Sequence, residues 1–242
     1  MSPKGKGVIQ YTYQFVFKDG RSYNFTLNLS YPELQQIKPA RAESEKSEWT
    51  KLEFQRCKNC TLDAKAHKYC PAAESLQEIL EIFKDILSIE EVEVVVKSQE
   101  RTTTKTLAVQ RALGSLIGMY FATSGCPVLN KFAPLARFHL PFATMEETIY
   151  RSVGNYLLAQ YFIAKEGGKP DWELKGLKEF YKEVEKVNKS LCWRLGALSK
   201  KDANLNAVVT LDVFAKNLTE LFDRSMEEIK PLFNVYLKSS GL

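Results

Sequence analysis

Two runs of alternating apolar residues near the N-terminus constrain the fold of this chain more than any other feature. Their apolar members are Tyr11, Tyr13, Phe15 and Phe17 in the first run and Tyr23, Phe25, Leu27 and Leu29 in the second. Alternation with a period of two is typical of strands that bury one face. A three-residue loop from Lys18 to Gly20 brings both apolar sets onto one face, whereas a two-residue loop would put them on opposite faces. The runs therefore predict an antiparallel hairpin in which Gly20 adopts a left-handed backbone conformation.

The remainder of the first half adds a helix and a second hairpin. Apolar residues at helical spacing predict an amphipathic helix over 72–87, and the residues of its stripe are Leu76, Ile79, Leu80, Phe83 and Leu87. The valines of 92–96 predict a strand, with residues 101–106 as its hairpin partner. A short further strand is predicted around Trp49 to Phe54, where the chain runs into a group of cysteines.

Helical spacing replaces alternation after residue 106. Helices are predicted over 107–124, 144–166, 171–198 and 202–222, and from Ser225 onward. The chain is therefore predicted to be an α+β protein. Residues 1–106 would form an antiparallel sheet with one helix and a metal loop, and residues 107–242 an all-helical bundle. Because no linker-like stretch separates the halves, we expect them to pack closely, as two domains or as one.

Three of the five cysteines, Cys57, Cys60 and Cys70, lie within fourteen residues. With His67 they form the pattern C-x2-C-x6-H-x2-C, in which each pair can hold one ion from a tight turn. Three thiolates and one imidazole make a closed tetrahedral zinc site, and in a reducing compartment such a cluster is more typical of metal binding than of disulfides. The sequence therefore predicts a structural zinc site at Cys57, Cys60, His67 and Cys70.

A rival interpretation keeps the metal site but replaces His67 with Cys126. Cys70 and Cys126 are each followed by proline, as is the last cysteine of one bacterial ferredoxin pattern. The all-thiolate set, which suits zinc or a 4Fe–4S cluster, comprises Cys57, Cys60, Cys70 and Cys126. The spacing favours His67, but the sequence leaves the fourth ligand open. Since the helix over 107–124 must return along the sheet, we expect Cys126 to lie close to the other cysteines with either set.

A group of polar residues in the second half offers a different kind of site. Its members are Arg137, His139, Glu146 and Arg151. Such side chains at helix ends suit an anionic ligand or acid–base chemistry. Glu147, by contrast, has structural explanations: a capping box with Thr144 or an i, i+4 pair with Arg151.

Two classes of function remain open from the sequence. One is a zinc-stabilised protein that recognises a partner or ligand, and the other is an enzyme that uses the polar group around Arg137, His139 and Glu146. No phosphate-binding loop, dinucleotide fingerprint or nucleophile elbow occurs in the sequence. The first class is favoured because no catalytic constellation is complete.

The net charge and the apolar stretches of the chain limit which partners and which cellular location we expect. The formal net charge is +5, and basic residues are scattered among acidic ones, which is typical of a mixed solvated surface rather than of a nucleic-acid footprint. The first ten residues contain no apolar signal-peptide core, and the longest apolar stretch, 112–122, is about half a membrane span. We therefore expect a soluble cytoplasmic protein with a protein or small-ligand partner. Nucleic acid stays open as a partner, and a membrane is not expected.

Several segments together resemble a known family. They are the cysteine loop, Ser124 to Pro127, His139 to Phe142 and the pair Glu146 and Glu147. Over residues 50–215 the chain resembles an uncharacterised bacterial family of cytosolic proteins with no assigned activity. The resemblance implies a bacterial, cytosolic protein and no mechanism, and it draws attention to Cys126 and His139.

Overall fold

The N-terminal hairpin forms as the alternation predicts. The computed structural model describes residues 7–39, 41–197, 206, 208–209, 211–212, 215–216 and 222–239. Within them β1 (Val8–Phe17) and β2 (Ser22–Ser30) pair antiparallel, with Tyr13 opposite Phe25 and Phe15 opposite Tyr23. Gly20 has a φ of 91°, as expected for the left-handed residue of the loop. The predicted register and loop are therefore confirmed.

The second hairpin extends this sheet. Strands β3 (Glu91–Lys97) and β4 (Thr102–Ala108) pair antiparallel, and β3 also pairs with β1, which gives the strand order β2-β1-β3-β4. One face of β1 is fully buried, and its Phe15 ring lies 5.1 Å from the ring of Phe83. The apolar face of the sheet thus packs on the helix that follows the cysteines.

Helices make up most of the rest of the described chain. The α-helices are α1 (Pro71–Phe83), α2 (Val109–Ala122), α3 (Ala133–Arg137), α4 (Met145–Lys165), α5 (Lys175–Gly196), α6 (Phe222–Ile229) and α7 (Asn234–Ser239). Short 3-10 helices span Glu43–Glu45, Glu48–Thr50, Leu129–Phe132 and Lys230–Phe233. The predicted α+β class, with the sheet first and the helices after it, is therefore confirmed. The described positions between 206 and 216 are helical, but most of the predicted helix over 202–222 lies outside the described residues.

Two local predictions are wrong. The strand expected around Trp49 to Phe54 is a 3-10 turn at Glu48–Thr50 followed by a single bridge between Lys51 and Tyr69. The carbonyl groups that a strand would use for pairing accept hydrogen bonds from a buried arginine instead, as described below. Near the C-terminus, Pro231 lies in a 3-10 helix between α6 and α7, not in the first turns of one helix.

The helical half and the sheet share one hydrophobic core. The core cluster includes Phe83 of α1, Leu113 of α2 and Leu191 of α5. Within the ranges given above, no helix is both long enough and apolar enough to cross a bilayer.

Candidate metal centre

The turn geometry of the chain brings four cysteines towards one another. Cys57 and Cys60 lie in one turn, where the Cys60 amide donates to the Cys57 carbonyl at 3.1 Å. Cys70 directly precedes α1, and Cys126 follows α2 after Gly125, whose φ is 88°. Thiolate charges on Cys57, Cys60 and Cys70 would interact with one another, and a charge on Cys126 would interact with those on Cys57 and Cys70. Cys126 is therefore close enough to Cys57 and Cys70 for thiolate charges on them to interact.

Cys70 and Cys126 occupy matching positions at the starts of helical segments. The backbone amides of Ala72 and Ala73 lie near the Cys70 sulfur and lower the pKa of its thiol. The amides of Val128 and Leu129, beyond Pro127, act in the same way on Cys126. Such amides favour a thiolate over a thiol.

Burial opposes that preference while the thiols are free. It raises the pKa of Cys70, and it raises the pKa of Cys126 to about 11, with the backbone amides offsetting part of the effect in each case. The two sulfurs therefore have donors that suit an anion, in surroundings that disfavour an uncompensated one.

The other two sulfurs have side-chain partners. The Ser190 hydroxyl, which donates its proton to the Gln55 carbonyl, lies beside the Cys57 sulfur, and the Arg56 guanidinium lies beside the Cys60 sulfur. Burial raises the pKa of Cys57, whereas Ser190 lowers it. Each of the four cysteines thus has at least one polar group close to its sulfur.

A buried guanidinium lies beside the cysteines. Arg194 of α5 is only 1% exposed, and it donates to the carbonyl oxygens of Trp49 at 2.6 Å, Lys51 at 2.8 Å and Leu52 at 3.0 Å. Its Nε atom has no hydrogen-bond partner, and no carboxylate among the described residues pairs with it. Burial lowers the pKa of Arg194, and the groups that raise it again are Cys70, Cys57 and Cys60.

Helix α5 also holds the cysteine loop, residues 51–70, at two further points. The Asn59 side-chain amide donates to the Glu183 carbonyl at 3.0 Å and to its carboxylate at 2.8 Å. The Ser190 hydroxyl donates to the carbonyl of Gln55. The loop that carries three cysteines is therefore fixed to the helical half of the molecule as well as to α1.

His67 and Cys192 lie apart from this arrangement. The side chain of His67 is exposed on the outer part of the loop, whereas Cys70 and Cys126 are buried. Cys192 interacts with Asp212 and Lys216, and burial raises its pKa to about 11. As the side chains stand, no three or more His, Cys, Asp or Glu residues in the described part of the chain are arranged to hold a metal ion.

Of the polar group predicted in the helical half, His139 and Arg151 line one cavity, whereas Arg137 and Glu146 do not. Arg137 forms an ion pair with Glu100 at 3.1 Å, and Glu146 is exposed. The Arg151 guanidinium donates to the carbonyls of Leu135 at 3.0 Å and Phe138 at 2.8 Å.

Glu147 does not pair with Arg151. Its carboxylate accepts from the Thr144 amide at 2.7 Å, and the Thr144 hydroxyl accepts from the Glu147 amide at 3.2 Å. The predicted capping box at the start of α4 is therefore confirmed.

His139 turns towards the sheet. Its Nε2 atom is hydrogen-bonded to the Tyr13 hydroxyl and lies 3.5 Å from the Ser115 hydroxyl. Burial, with a smaller effect from the Arg151 guanidinium, lowers the pKa of His139 from 6.5 to about 3. The imidazole is therefore neutral at neutral pH.

This neutral histidine makes the stability of the fold depend on pH. Between the two pKa values the unfolded chain binds a proton that the folded chain does not, so stability falls as the pH drops below 6.5. The loss is about 1.4 kcal/mol per pH unit. We expect the wild type to lose about 2 kcal/mol more than His139→Gln between pH 7 and pH 5, measured by urea unfolding. Both proteins keep all their cysteines, so an equal loss in both would contradict the assignment.

Arg194 and Ser190 belong to the candidate site but are not among the residues predicted from the sequence. They are four residues apart, so they lie on the same side of α5, among apolar residues of the inward face such as Val187 and Leu191. A cation and a hydroxyl at buried positions of an amphipathic helix are a signal that something polar faces them. What they face is set by the tertiary fold, which spacing along the chain does not reveal.

Comparison with known proteins gives a family and no activity. No curated protein and no solved structure matches the chain. A family model described as a domain of unknown function, DUF6901, matches residues 11–234, which includes the sheet, all four clustered cysteines and α5. The chain therefore belongs to the DUF6901 family.

Proposed function

We propose that this protein binds one structural zinc ion through Cys57, Cys60, Cys70 and Cys126, and that the fold stabilised in this way serves to recognise a ligand or partner. The observation that carries the proposal is Arg194. Buried charges in proteins are paired, and among the described residues the only ionisable groups that raise the pKa of this buried cation are cysteines, whose free thiols are kept neutral by burial. Four thiolates around Zn²⁺ carry a net charge of about −2, which would supply the missing counter-charge.

The polar groups around the sulfurs support the same conclusion. Metal-bound thiolates commonly accept hydrogen bonds from groups around them, which orient the ligand and stabilise its charge. Here the backbone amides near Cys70 and Cys126 and the guanidinium of Arg56 near Cys60 would stabilise thiolates.

Cys126 is a better fourth ligand than His67 on the same evidence. Cys126 is buried near Cys57 and Cys70, whereas the His67 side chain is exposed. The four thiols do not enclose an ion as they stand, so binding includes rotation of the thiols about their Cα–Cβ bonds. A cysteine has one side-chain torsion, and that rotation is a small change compared with the affinity of four thiolates for zinc.

The proposed role is structural because all four positions around the ion would be occupied by protein. A catalytic zinc keeps one position for water. The four ligands would instead tie the cysteine loop to the segment that follows α2, so the ion would join the two halves of the chain.

Elemental analysis of protein purified without added metal tests the proposal. We expect about one zinc ion per chain. Cys126→Ser should lose the metal, whereas Cys192→Ser, a matched change at a cysteine outside the cluster, and His67→Ala should keep it. Loss of metal in His67→Ala with retention in Cys126→Ser would contradict the ligand set.

The test also distinguishes zinc from an iron–sulfur cluster. A 4Fe–4S cluster uses the same four-thiolate set. Brown protein that contains iron and acid-labile sulfide would show that the four ligands hold that cluster instead of zinc. Protein that contains neither zinc nor iron in an amount close to one site per chain would overturn the proposal.

A further inference from the structure

A cavity of about 430 Å³ lies in the helical half, apart from the cysteine cluster. Its walls come from α2, from the segment 129–145, and from the facing sides of α4 and α5, and Leu107, Leu211 and Ala215 also line it. The volume falls in the range of pockets that bind small molecules, and most of the lining is apolar. Nothing in the proposed zinc site uses this space.

Small residues on one side of α2 create the cavity. Gly114, Ser115, Gly118 and Ala122 follow one another at helical spacing and all line it. A Cβ atom built on Gly114 or Gly118 would meet no atom within 4 Å. No other backbone approaches these two glycines, so their small size does not serve to bring two backbones together. It leaves open space instead. The apolar wall opposite includes Leu129, Phe132 and Phe142.

The polar groups of the cavity are basic or neutral. Arg151 and Arg111 both line it, and the described lining residues include no aspartate or glutamate. Neither arginine forms an ion pair with another described residue, and Arg151 has only the carbonyls of Leu135 and Phe138 as hydrogen-bond partners. His139 also lines the cavity, where it is held by Tyr13 and Ser115. The Glu147 carboxylate, which does not line the cavity, interacts with the charge of Arg151 at longer range. The cavity therefore combines an apolar interior with two guanidinium groups that form no ion pair with a described residue.

We propose that this cavity binds a free single-chain amphiphile with an anionic head, such as a medium-chain carboxylate. The chain of the ligand lies along the small residues of α2, and its head group pairs with the guanidinium of Arg151, with Arg111 nearby at the cavity wall. A guanidinium suits a carboxylate because it presents paired N–H donors in one plane. A neutral histidine and a serine hydroxyl beside it complete a polar end without adding a competing charge.

Isothermal titration calorimetry with decanoate, decanol and decyltrimethylammonium tests the proposal on the protein as purified. We expect decanoate to bind about tenfold more tightly than decanol, the ratio that a charge-assisted hydrogen bond gives. Decyltrimethylammonium should bind no better than decanol. Equal binding of all three, or no binding of decanoate, would overturn the proposal.

Two variants locate the ligand. Gly118→Leu places a side chain in the open space and should abolish decanoate binding, whereas Gly154→Leu, at an exposed position of α4 where a Cβ also meets no atom, should leave it unchanged. Thermal melting of both variants shows that they are folded. Unchanged affinity in Gly118→Leu would show that decanoate does not occupy the cavity.

The role of Arg151 is read from a ratio of affinities, because its hydrogen bonds to two carbonyls also support the local fold. Arg151→Gln should lower the affinity for decanoate about tenfold and leave that for decanol unchanged. Equal losses for both ligands would contradict the pairing of the head group with Arg151. Because the cavity does not include the cysteines, this outcome is independent of whether zinc is bound.

Discussion

Removal of the bound metal by a chelator should lower the free energy of unfolding by about 5 kcal/mol or more. Structural zinc in small sites contributes on the order of 10 kcal/mol of binding free energy, and a site in a larger core gives up part of that to the residual structure of the apo form. For a chain of this length a loss of about 5 kcal/mol lowers Tm by roughly 10–20 °C. Differential scanning calorimetry with and without chelator measures the change.

The physical reason lies in which segments the four proposed ligands would join. Three of these cysteines come from the cysteine loop, 51–70, and the fourth, Cys126, comes from the turn after α2. Without metal this junction consists of thiols whose burial favours the neutral form, beside a buried guanidinium that has no anion to face. Loss of the ion would therefore remove both a cross-link and the counter-charge of Arg194.

Matched variants separate this effect from general damage by the chelator. Cys126→Ser should melt at the lower temperature and show no further decrease on chelation, whereas Cys192→Ser should respond as the wild type does. Identical melting of wild-type protein with and without chelator would contradict a structural role for the metal, even if elemental analysis had found zinc.

The sheet could be predicted from the sequence because its signal is local. The alternating aromatic residues of β1 and β2, joined by a loop of defined length, determined which residues face each other, and the observed pairs Tyr13 with Phe25 and Phe15 with Tyr23 follow. The capping box at Thr144 is local in the same sense. Where the pattern failed, around Trp49 to Phe54, a distant group had taken the carbonyls that a strand would have used.

The candidate site could be predicted only in part, for the same reason. Cys57, Cys60 and Cys70 are close in sequence, so their spacing indicated a site. Spacing alone favours His67 as the fourth ligand because it carries no information about the direction in which a loop faces, and in the structure the His67 side chain is exposed. Cys126 and Arg194 reach the cysteine loop through the path of α2 and α5.

Replacement of Arg194 by methionine should destabilise the metal-loaded protein by about 3–5 kcal/mol, the range seen when one partner of a buried charge pair is removed. The carbonyls of Trp49 and Leu52 would lose their donor, whereas the Lys51 carbonyl would keep the Phe54 amide, and each buried group left without a partner costs about 1–3 kcal/mol. Methionine also removes the free-energy cost of burying a cation, and this offsets part of the loss of stability. Urea unfolding of Arg194→Met measures the loss of both the charge and the hydrogen-bond donors. Urea unfolding of Arg194→Lys, which keeps the charge but not the planar set of donors, measures the loss of the donors alone.

The same variant tests whether Arg194 acts as the counter-charge of a metal–thiolate centre. If it does, Arg194→Met should cost more stability in the metal-loaded protein than in the chelated one, because in the chelated protein the thiols are neutral and the guanidinium has no anion to balance. The quantity to measure is the difference between the two losses, as in a double-mutant cycle with the metal as one of the two changes. An equal loss with and without metal would mean that Arg194 only holds the three carbonyls. A larger loss in the metal-loaded protein would mean that the guanidinium of Arg194 balances the negative charge of the ion and its four thiolates. This balance would then stabilise the contact between α5 and the cysteine loop.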